Sequence, residues 1–548
     1  MKKINILLLM LIPIFIISAY LDDIVEPAYA AAVSQTASVT NNNDEEDSSF
    51  DGSQTSYVTL NGNSITLKGS GAIVDGRIVT ITSTGKYNIS GTLGNGQIIV
   101  NTQDDEKVEL VLNGVNITCS ESAPLYIINA EKTVITLADL TENYITDSNS
   151  YADDNAESNE PNAAIFSNDD LTIKGDGLLT VNANYRNGIQ SRDDLKITGG
   201  NIFVNAENDG IKGRDSVSIE GGKIQVKAGG DGIQSDKDSD NDVDTQEGHV
   251  SIEGGTIDIT AGNDGIKGKD SVSIREANIQ VKAGGDGIQS DNDIDTEKGN
   301  VSIESGTIDI TAGNDGIQAK TNVIISGGAI TISSGGGSGN SSNYSSRRDF
   351  GNRRYSSTAS ISTKGIKAGV DLTIEGGTIH VDSSDDSLHS GNSLTINGGK
   401  TILASGDDGI HSNSTIEING GNINITKSYE GIESTVITIN DGDISIFAND
   451  DGLNATYISQ MNVAIIVNGG NIDVSVASGD TDAFDSNGSL FINGGTINVE
   501  ARSAFDASGQ ASLLGGDVTV NGQVITEIRA ERMGGGMRGG MGGRGRRR

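Results

Sequence analysis

A tandem duplication with a shorter repeat inside it constrains the fold of this chain more than any other feature. Residues 208–262 recur at 263–313, and the second copy is four residues shorter. Each copy contains units of about 22 residues, in which an Asp-Gly-Ile step precedes two strand-like runs such as SVSIEGG and KIQVKAG. A unit this short cannot bury its own apolar face, so neighbouring units must stack.

The Asp-Gly step recurs along most of the chain. It appears as Asn187-Gly188 and then at Asp209, Asp231, Asp264, Asp286, Asp315, Lys364, Asp386, Asp408, Glu430, Asp451 and Asp482. Alternating Ile or Val and polar residues between these steps indicate strands. We predict an all-β fold, a single right-handed parallel β-helix, with glycine supplying positive φ at the Asp-Gly and Gly-Gly corners. A β-sandwich or several small domains would not require this repeat.

The two ends differ from this body in composition. Residues 1–30 have two lysines, an apolar run and a small-residue site at Ala28-Tyr29-Ala30, which predicts a cleaved signal peptide rather than a retained anchor. Residues 31–56 lack large apolar side chains and predict a flexible linker. The β-helix domain is expected at 57–528. We therefore expect a secreted or cell-surface protein whose mature chain has no transmembrane span, and whose single Cys119 forms no internal disulfide.

The charge is distributed unevenly. The net charge is −37, but the Gly/Arg/Met-rich tail at 529–548 contains seven arginines and one glutamate. Outside a cell, such a tail suits an anionic wall polymer or a membrane surface, and no nucleic-acid partner is expected. A tail that is merely disordered is the alternative.

An acidic loop carries a calcium-binding pattern. Six carboxylates occupy positions 1, 3, 5, 7, 9 and 12 of an EF-hand-like loop, with Asn241 in place of the usual glycine. They are Asp236, Asp238, Asp240, Asp242, Asp244 and Glu247. The shorter loop of the second copy keeps Asp291, Asp293 and Asp295, and the turn residues Asp231 and Asp286 add nearby charge. Oxygen ligands without nearby His or Cys predict calcium, and a solvated acidic loop is the alternative.

Stacking also brings acidic turn residues together. Equivalent positions in successive coils lie roughly 4.8 Å apart, and adjacent carboxylates repel each other by about 1 kcal/mol. Asparagine would suit the turn as well, so the preference for aspartate predicts bound cations. A second group of candidate calcium ligands lies in four consecutive coils: Asp385, Asp386, Asp407, Asp408, Glu430, Glu433, Asp450 and Asp451. We expect His389 and His411 in this group to form hydrogen bonds rather than to bind metal.

An insertion interrupts the repeat just before this second group. Residues 333–360 contain four arginines together with Tyr344, Phe350 and Tyr355. The segment is either a disordered insertion or a basic, aromatic flap over a binding face.

Four stretches together resemble a known family: DDLTIKGDGLLTV, NGIQSRDDLKITGGNIFV, GDDGIHSNSTIEINGGNINI and SYEGIES. From Tyr57 to about Gln523 the chain resembles secreted clostridial carbohydrate-binding β-helix proteins, a family similar in fold to the family-nine pectate lyases. The resemblance implies that residues 57–528 bind calcium and polysaccharides such as cellulose or polygalacturonate. It also matches Asp407-Asp408 and Asp450-Asp451 to the paired aspartates of the lyases. Here, however, His411 or Asn454 replaces the third aspartate of that motif.

Three functions remain open from the sequence. The favoured one is calcium-dependent binding of acidic plant or cell-wall polysaccharide, with Tyr429 and Tyr457 as candidates for stacking on sugars. The alternatives are a calcium-stabilised adhesin or structural protein and a calcium-dependent polysaccharide lyase. A lyase needs a base, and Lys364, Lys367 and Lys427 are candidates that no motif distinguishes. The sequence therefore favours a protein without catalytic activity.

Overall fold

The computed structural model describes residues 55–151, 161–237, 247–292, 295–340, 362–459, 461–479 and 481–528. All regular elements in these residues are strands, and no helix among them is long and apolar enough to cross a membrane. Most strands pair in parallel with the equivalent strand of the coil before and the coil after. The predicted parallel β-helix is confirmed.

Each coil contains three strands, one more than the sequence predicted. The additional strand starts within the Asp-Gly-Ile step itself, as in Ile211–Gly213. It is followed in the same coil by Ser216–Ile219 and Lys223–Ala228. We call the sheets built from these successive strands the first, second and third faces.

The first face consists of short strands. Their bounds are Ala72–Asp75, Ile78–Ile81, Gln97–Asn101, Leu125–Asn129, Ala163–Ser167, Asn187–Ser191, Ile211–Gly213, Ile233–Ser235, Ile266–Gly268, Ile288–Ser290, Ile317–Ala319, Ile366–Ala368, Leu388–Ser390, Ile410–Ser412, Ile432–Ser434, Leu453–Ala455, Asp482–Ser486 and Ser503–Ala507.

The second and third faces belong to one continuous sheet. The second face contains Lys132–Leu137, Asp170–Gly175, Asp194–Ile197, Ser216–Ile219, His249–Ile252, Ser271–Ile274, Asn300–Ile303, Val323–Ile325, Asp371–Ile374, Ser393–Ile396, Thr415–Ile418, Val436–Ile439, Ala464–Val467, Ser489–Ile492 and Ala511–Leu513. The third face contains Glu142–Thr146, Leu178–Ala183, Asn201–Ala206, Lys223–Ala228, Thr256–Ala261, Asn278–Ala283, Thr307–Ala312, Ala329–Ser334, Thr378–Ser383, Lys400–Ser405, Asn422–Lys427, Asp443–Ala448, Asn471–Val476, Thr496–Glu500 and Asp517–Val520.

Hairpins close the two ends of the solenoid. At the start, the long strands Thr55–Gly62, Gly85–Leu93 and Val108–Thr118 continue the large sheet, and Ile65–Lys68 pairs antiparallel with the first of them. At the other end, Gln523–Ile525 folds back antiparallel on Asp517–Val520. Each hairpin covers part of a sheet edge that would otherwise offer unpaired backbone groups to other chains.

The core follows from the alternation of the strands. In one coil, Ile211, Val217, Ile219, Ile224 and Val226 point inward and are at most 1% exposed. Each inward Ile or Val stacks on its equivalent in the next coil, as Ile219 does on Ile252. Burying one such side chain contributes roughly 1.5–3 kcal/mol, so the stability of the solenoid is spread evenly along its axis.

The glycine prediction is half right. The second glycine of the Gly-Gly pairs between the second and third faces has positive φ, for example 97° at Gly222. The glycine of Asp-Gly does not, so that part of the prediction is wrong. At Gly232, an added Cβ would lie 2.4 Å from Ile259 Cγ2 and 2.5 Å from the Gly265 carbonyl oxygen. Glycine is required there because the coils pack too closely for a side chain.

Candidate functional site

The turn residues form a hydrogen-bonded ladder along the edge where the third face meets the first. Asp231 Oδ1 accepts the backbone N–H of Asp264 at 3.0 Å, and Asp264 Oδ1 accepts that of Asp286 at 2.9 Å. Asn187 Oδ1 accepts the N–H of Asp209 in the same way at 3.1 Å. An amide oxygen can therefore accept the ladder hydrogen bond as well as a carboxylate oxygen does. If these positions need aspartate rather than asparagine, the reason must be the second carboxylate oxygen, Oδ2.

The second oxygens face a column of side chains on the first face. The middle residue of each short strand points outward, and strand pairing aligns these residues from coil to coil. We call them the outward column: Gln190, Lys212, Gln234, Lys267, Gln289, Gln318, Lys367, His389, His411, Glu433, Asn454, Asp485 and Asp506.

In the first half of the column, lysines neutralise the turn carboxylates. Lys267 Nζ lies 3.3 Å from Asp264 Oδ2 and 3.2 Å from Asp291 Oδ2. Lys212 Nζ likewise lies 3.5 Å from Asp209 Oδ2 and 2.7 Å from Asp236 Oδ2. We call the turn and column residues from Asp209 to Lys367 the balanced half, because its acids alternate with lysine and glutamine.

The second half is strongly acidic. Each of five consecutive coils places two acidic residues at or beside the turn or in the column, and we call these ten residues the acidic half. They are Asp385, Asp386, Asp407, Asp408, Glu430, Glu433, Asp450, Asp451, Asp482 and Asp485. This group includes all eight residues of the predicted second cluster, which the fold brings to one edge and one face.

One lysine enters this region from the preceding coil. Lys364 Nζ lies 3.0 Å from Asp385 Oδ1 and 2.6 Å from Asp386 Oδ2. Burial lowers the pKa of Lys364, but the attraction of Asp386 and Asp385 outweighs burial and raises it above its usual value. Lys364 therefore keeps its proton at neutral pH.

Both histidines contact carboxylates in the middle of the column, and burial lowers the pKa of His389 below its usual value. His389 Nδ1 lies 2.9 Å from Asp386 Oδ2, while His411 Nδ1 lies 3.0 Å from Asp408 Oδ2 and 3.2 Å from Glu433 Oε2. The rings stack with their centroids 5.0 Å apart. Burial alone would lower the pKa of His411, but hydrogen bonds to the two carboxylates raise it to about 11. As expected, these imidazoles are engaged in hydrogen bonds.

Two other carboxyls in the acidic half, Glu430 and Asp451, have raised pKa values. Burial and the charge of Glu433 raise the pKa of Glu430 to about 9. Burial and the charges of Asp485 and Asp450 raise the pKa of Asp451 to about 7, although a backbone hydrogen bond from Asp482 opposes the change. Without a cation beside them, these groups bind protons near neutral pH. The charged forms of Glu430 and Asp451 are therefore unfavourable unless a cation lies beside them.

Among the residues that the structure describes, three groups of acidic or histidine side chains place their ligand atoms within 4.8 Å of one another. Asp385, Asp386 and Asp407 offer only oxygen, which suits calcium. Asp408, His411 and Glu433 include the ion-paired imidazole described above. The third group is Asp170, Asp193 and Asp194, which the sequence analysis missed. The sequence does contain a signal for this group, because Asp-Asp pairs occur at 169–170 and 193–194, one coil apart.

The predicted calcium loop is only partly described. Asp238, Asp240, Asp242 and Asp244 lie outside the described residues, as does Asp293 of the second loop. At the two described ends of the first loop, Asp236 pairs with Lys212, and Glu247 Oε1 lies 2.5 Å from Lys237 Nζ. In the second loop, Asp291 pairs with Lys267 and Asp295 is exposed. Asp231 and Asp286 belong to the ladder, which lies at the opposite edge of the first face from these loops. Calcium binding by the loop stays a prediction.

The two candidate tyrosines lie on opposite edges of the first face. Tyr429 takes the place of Asp407 one coil later, because its N–H donates to the Asp407 carbonyl oxygen at 2.7 Å. Tyr457 follows the strand Leu453–Ala455 and is 72% exposed. Ile458 and Met461 are exposed beside it in the chain. The tyrosines do not form one platform, but each borders the acidic half.

The other candidate bases have partners as well. Lys367 Nζ lies 3.1 Å from Asp315 Oδ2 and 3.0 Å from Gln318 Oε1. Lys427 Nζ donates to the carbonyl oxygen of Ser338, at the start of the 333–360 insertion. The insertion's aromatic residues and arginines lie outside the described residues.

Comparison with known proteins places this solenoid in a family. Residues 75–267, 245–409 and 401–527 match a family described as carbohydrate-binding domain-containing protein. The chain belongs to this family. A member from Acetivibrio thermocellus is 53% identical over 136 residues, which are 25% of this chain and 48% of the relative. The chain thus spans about half the length of this curated relative.

A solved structure is also similar in sequence. It is the polysaccharide lyase-like protein from C. thermocellum, determined as a gadolinium derivative. The identity is 43%, the match covers 46% of this chain and 96% of that one, and the TM-score is 0.40. The predicted likeness to family-nine pectate lyases in particular stays a prediction.

Proposed function

We propose that this family member is secreted and binds acidic polysaccharide through calcium ions held by the acidic half of the first face. The observation that carries the proposal is the run of two acidic residues per coil over five coils, with several carboxyl pKa values raised. Such a surface favours cations, and a chain of net charge −37 repels polyuronate unless cations lie between them.

Asp385, Asp386 and Asp407 would hold the principal ion. Their oxygens are close enough to share one ligand, and the ammonium of Lys364 already occupies a cation position between two of them. Calcium bound there would bridge these carboxylates to a sugar carboxylate. Tyr429 at the turn edge and Tyr457 at the far edge are placed to contact sugar rings on either side.

The protonated state of Lys364 favours binding without cleavage as the form of the function. A lyase base must be unprotonated when it meets the sugar, and Lys364 is held in its protonated form by two carboxylates. We expect polygalacturonate incubated with the protein and calcium to give no rise in unsaturated uronate absorbance. A steady rise that Lys364→Ala abolishes would show that the protein is a lyase.

The experiment that tests the proposal is retention of the chain on immobilised polygalacturonate, with calcium or with chelator. We expect retention only with calcium, and loss of at least tenfold in affinity when Asp385, Asp386 and Asp407 are all changed to Asn. The matched control changes Asp209, Asp231 and Asp286 to Asn, since asparagine still accepts the ladder hydrogen bond. Equal retention of both variants, or retention in chelator, would contradict the proposal.

Calcium stoichiometry separates this site from the acidic loop. The EF-hand-like loop at 236–247 is proposed to bind a second ion, because its sequence supplies a carboxylate at each ligand position. In calorimetry, changing Asp236, Asp238 and Asp240 to Ala should remove one ion and leave polygalacturonate retention intact. An unchanged ion count in that variant would mean that the loop is only solvated charge.

A further inference from the structure

We propose that the basic tail at 529–548 docks on the last part of the outward column of its own chain and competes there with calcium. The surface consists of the four column residues Glu433, Asn454, Asp485 and Asp506, which we call the acidic row. Only the competition with calcium rests on the proposed function, because the docking itself depends on charges of this chain alone.

The coils that form the acidic row contain almost no positive charge. Residues 428–501 include eleven acidic residues and no lysine, arginine or histidine. In the balanced half, by contrast, Lys212 and Lys267 of the column each lie beside two carboxylates. The acidic row is therefore a surface on which a cation from outside these coils is needed.

Asn454 marks the middle of the row as the position of a donor. Its residue is 8% exposed, and its buried Oδ1 receives no hydrogen bond from the described residues. Its Nδ2 donates to Glu430 Oε2 at 2.6 Å, which orients the amide and leaves the oxygen as the unpaired atom. A buried acceptor without a donor is unfavourable. Since Asn454 lies between Glu433 and Asp485 in the column, a donor that reaches this oxygen also lies among carboxylates.

Arginine supplies a donor and a positive charge in one group. The guanidinium is planar, always charged and carries five N–H donors, so it can bridge an amide oxygen and a carboxylate. Residues 529–548 contain seven arginines and one glutamate. The charge of the tail is thus complementary to that of the row. Calcium would bind the same oxygens, and this is why the two should compete.

The tail begins close to the row. Residues 526–527 line one pocket together with Phe505 of the last first-face strand, and Asp506 next to Phe505 ends the column. Asn454 lies two coils before Asp506, which is roughly 9.6 Å along the axis. Twenty residues extend at most about 66 Å, so the tail arginines can reach the whole row. The short tether raises the local concentration of the tail and favours its own chain over a second copy.

Limited trypsin digestion of the full chain tests the docking, since trypsin cleaves after arginine where the segment is accessible. In chelator at low salt, we expect cleavage after Arg538 to be at least fivefold slower than in a free peptide of residues 529–548 in the same solution. Changing Glu433 to Gln, and Asp485 and Asp506 to Asn, should abolish this protection, and Asn454→Ala should at least halve it. In the unchanged chain, sodium chloride at about 0.5 M should abolish it by screening.

The matched control neutralises three carboxylates on the exposed third face of neighbouring coils. Asp443→Asn, Asp473→Asn and Glu500→Gln change the net charge by the same amount and should leave the protection intact. Absence of protection in the unchanged chain, full protection in the acidic-row variant, or equal loss in the control would each overturn the proposal. Protection that increases with chain concentration would also overturn it, because the tail would then dock on a second copy.

A calcium titration separates this inference from the proposed function. Calcium should raise cleavage of the tail to the rate seen in the acidic-row variant. Changing the seven tail arginines to Gln should lower, at least threefold, the calcium concentration needed for retention on polygalacturonate. Protection that saturating calcium does not reverse would overturn the competition. Absence of calcium-dependent retention, with protection in chelator intact, would instead overturn the proposed function and leave the docking standing.

Discussion

The balanced and acidic halves of the first face share one backbone arrangement but differ in how their charge is compensated. In both, a turn Oδ1 accepts the N–H of the next coil, as Asp231 does from Asp264 and Asp386 does from Asp408. In the balanced half, a lysine of the outward column lies beside the turn Oδ2 and a neighbouring carboxylate in several coils, as Lys212 and Lys267 do. In the acidic half, the corresponding positions hold histidine, glutamate, asparagine and aspartate.

The turn aspartates therefore have two separable roles. The ladder oxygen serves the fold, and Asn187 shows that it does not need a charge. The other oxygen sets the electrostatics of the first face, which the outward column either neutralises or intensifies. A solenoid can therefore vary its ligand surface coil by coil without changing its core.

The largest expected effect comes from removing the lysine at the boundary between the halves. Lys364→Met leaves Asp385 and the buried Asp386 without their cation, and breaking a buried ion pair by removing one partner costs roughly 3–5 kcal/mol. We expect a loss of this size in denaturant unfolding with chelator, and substantial recovery when calcium is added. Lys223→Met on the exposed third face is the control and should change stability little. Equal loss with and without calcium would show that the site does not accept the ion.

The next largest effect concerns pH. The melting temperature should depend on pH, mainly through carboxyl groups of the acidic half. Carboxyl groups whose folded pKa is raised stabilise the fold below their unfolded pKa, and this stability is lost as pH rises through the folded value. For Asp451 and Glu430 the folded values are about 7 and about 9. In chelator, the melting temperature should therefore fall between pH 5 and pH 9, and calcium should flatten the profile.

Three carboxyls of the balanced half, Asp209, Asp264 and Asp286, also have raised pKa values and contribute to the same profile. Burial and the charges of Asp315 and Asp264 raise the pKa of Asp286 to about 7. Asp286→Asn should remove the Asp286 contribution, and we expect most of the fall to remain because it comes mainly from Glu430 and Asp451. If Asp286→Asn alone makes the profile flat, the comparison between the halves is wrong.

Neutralising one charged group in each half, Glu430 in the acidic half and Lys267 in the balanced half, should have effects of opposite sign. At pH 9 in chelator, Glu430→Gln relieves repulsion from Glu433 and keeps an oxygen to accept from Asn454 Nδ2, so we expect stabilisation of about 1 kcal/mol. In the balanced half, Lys267→Met removes an ammonium whose pKa burial lowers but Asp291 and Asp264 raise above its usual value, so we expect destabilisation of about 1 kcal/mol. Unfolding free energies measured in urea check both values. The same sign for both variants would contradict the comparison.

The coils can be predicted from the sequence because each one contains a turn residue of the same kind at a regular spacing. The turn positions from Asn187 to Asp482 all align in the structure, as strand pairing from Ile189 to Phe484 shows. The third strand escaped prediction because three residues, Ile211–Gly213, are too short to show an alternation. The Asp-Gly glycines were misread because packing between coils excludes their Cβ, and no local pattern reveals that contact.

The site was harder to predict than the fold for a related reason. The acidic cluster from Asp385 to Asp451 is visible in the sequence, but Lys364 belongs to another coil and its two contacts depend on rotamer and register. The outward column was not recognised at all, since Lys212, Gln234 and His389 share no residue type. Only the alignment of three-residue strands across coils brings them into one line.

The smallest expected effect tests the ladder itself. Asp231 Oδ1 accepts the N–H of Asp264 and the side-chain Nδ2 of Asn263 at 2.6 Å, and its column neighbour Gln234 offers no cation. Asp231→Asn keeps an oxygen for both donors, so the unfolding free energy should change by less than about 0.5 kcal/mol. Asp231→Ala leaves the buried N–H of Asp264 without an acceptor and should cost roughly 1–3 kcal/mol. If asparagine costs as much as alanine in urea unfolding, the charge at Asp231 is needed for the fold, and the two roles of the turn aspartates are not separable there.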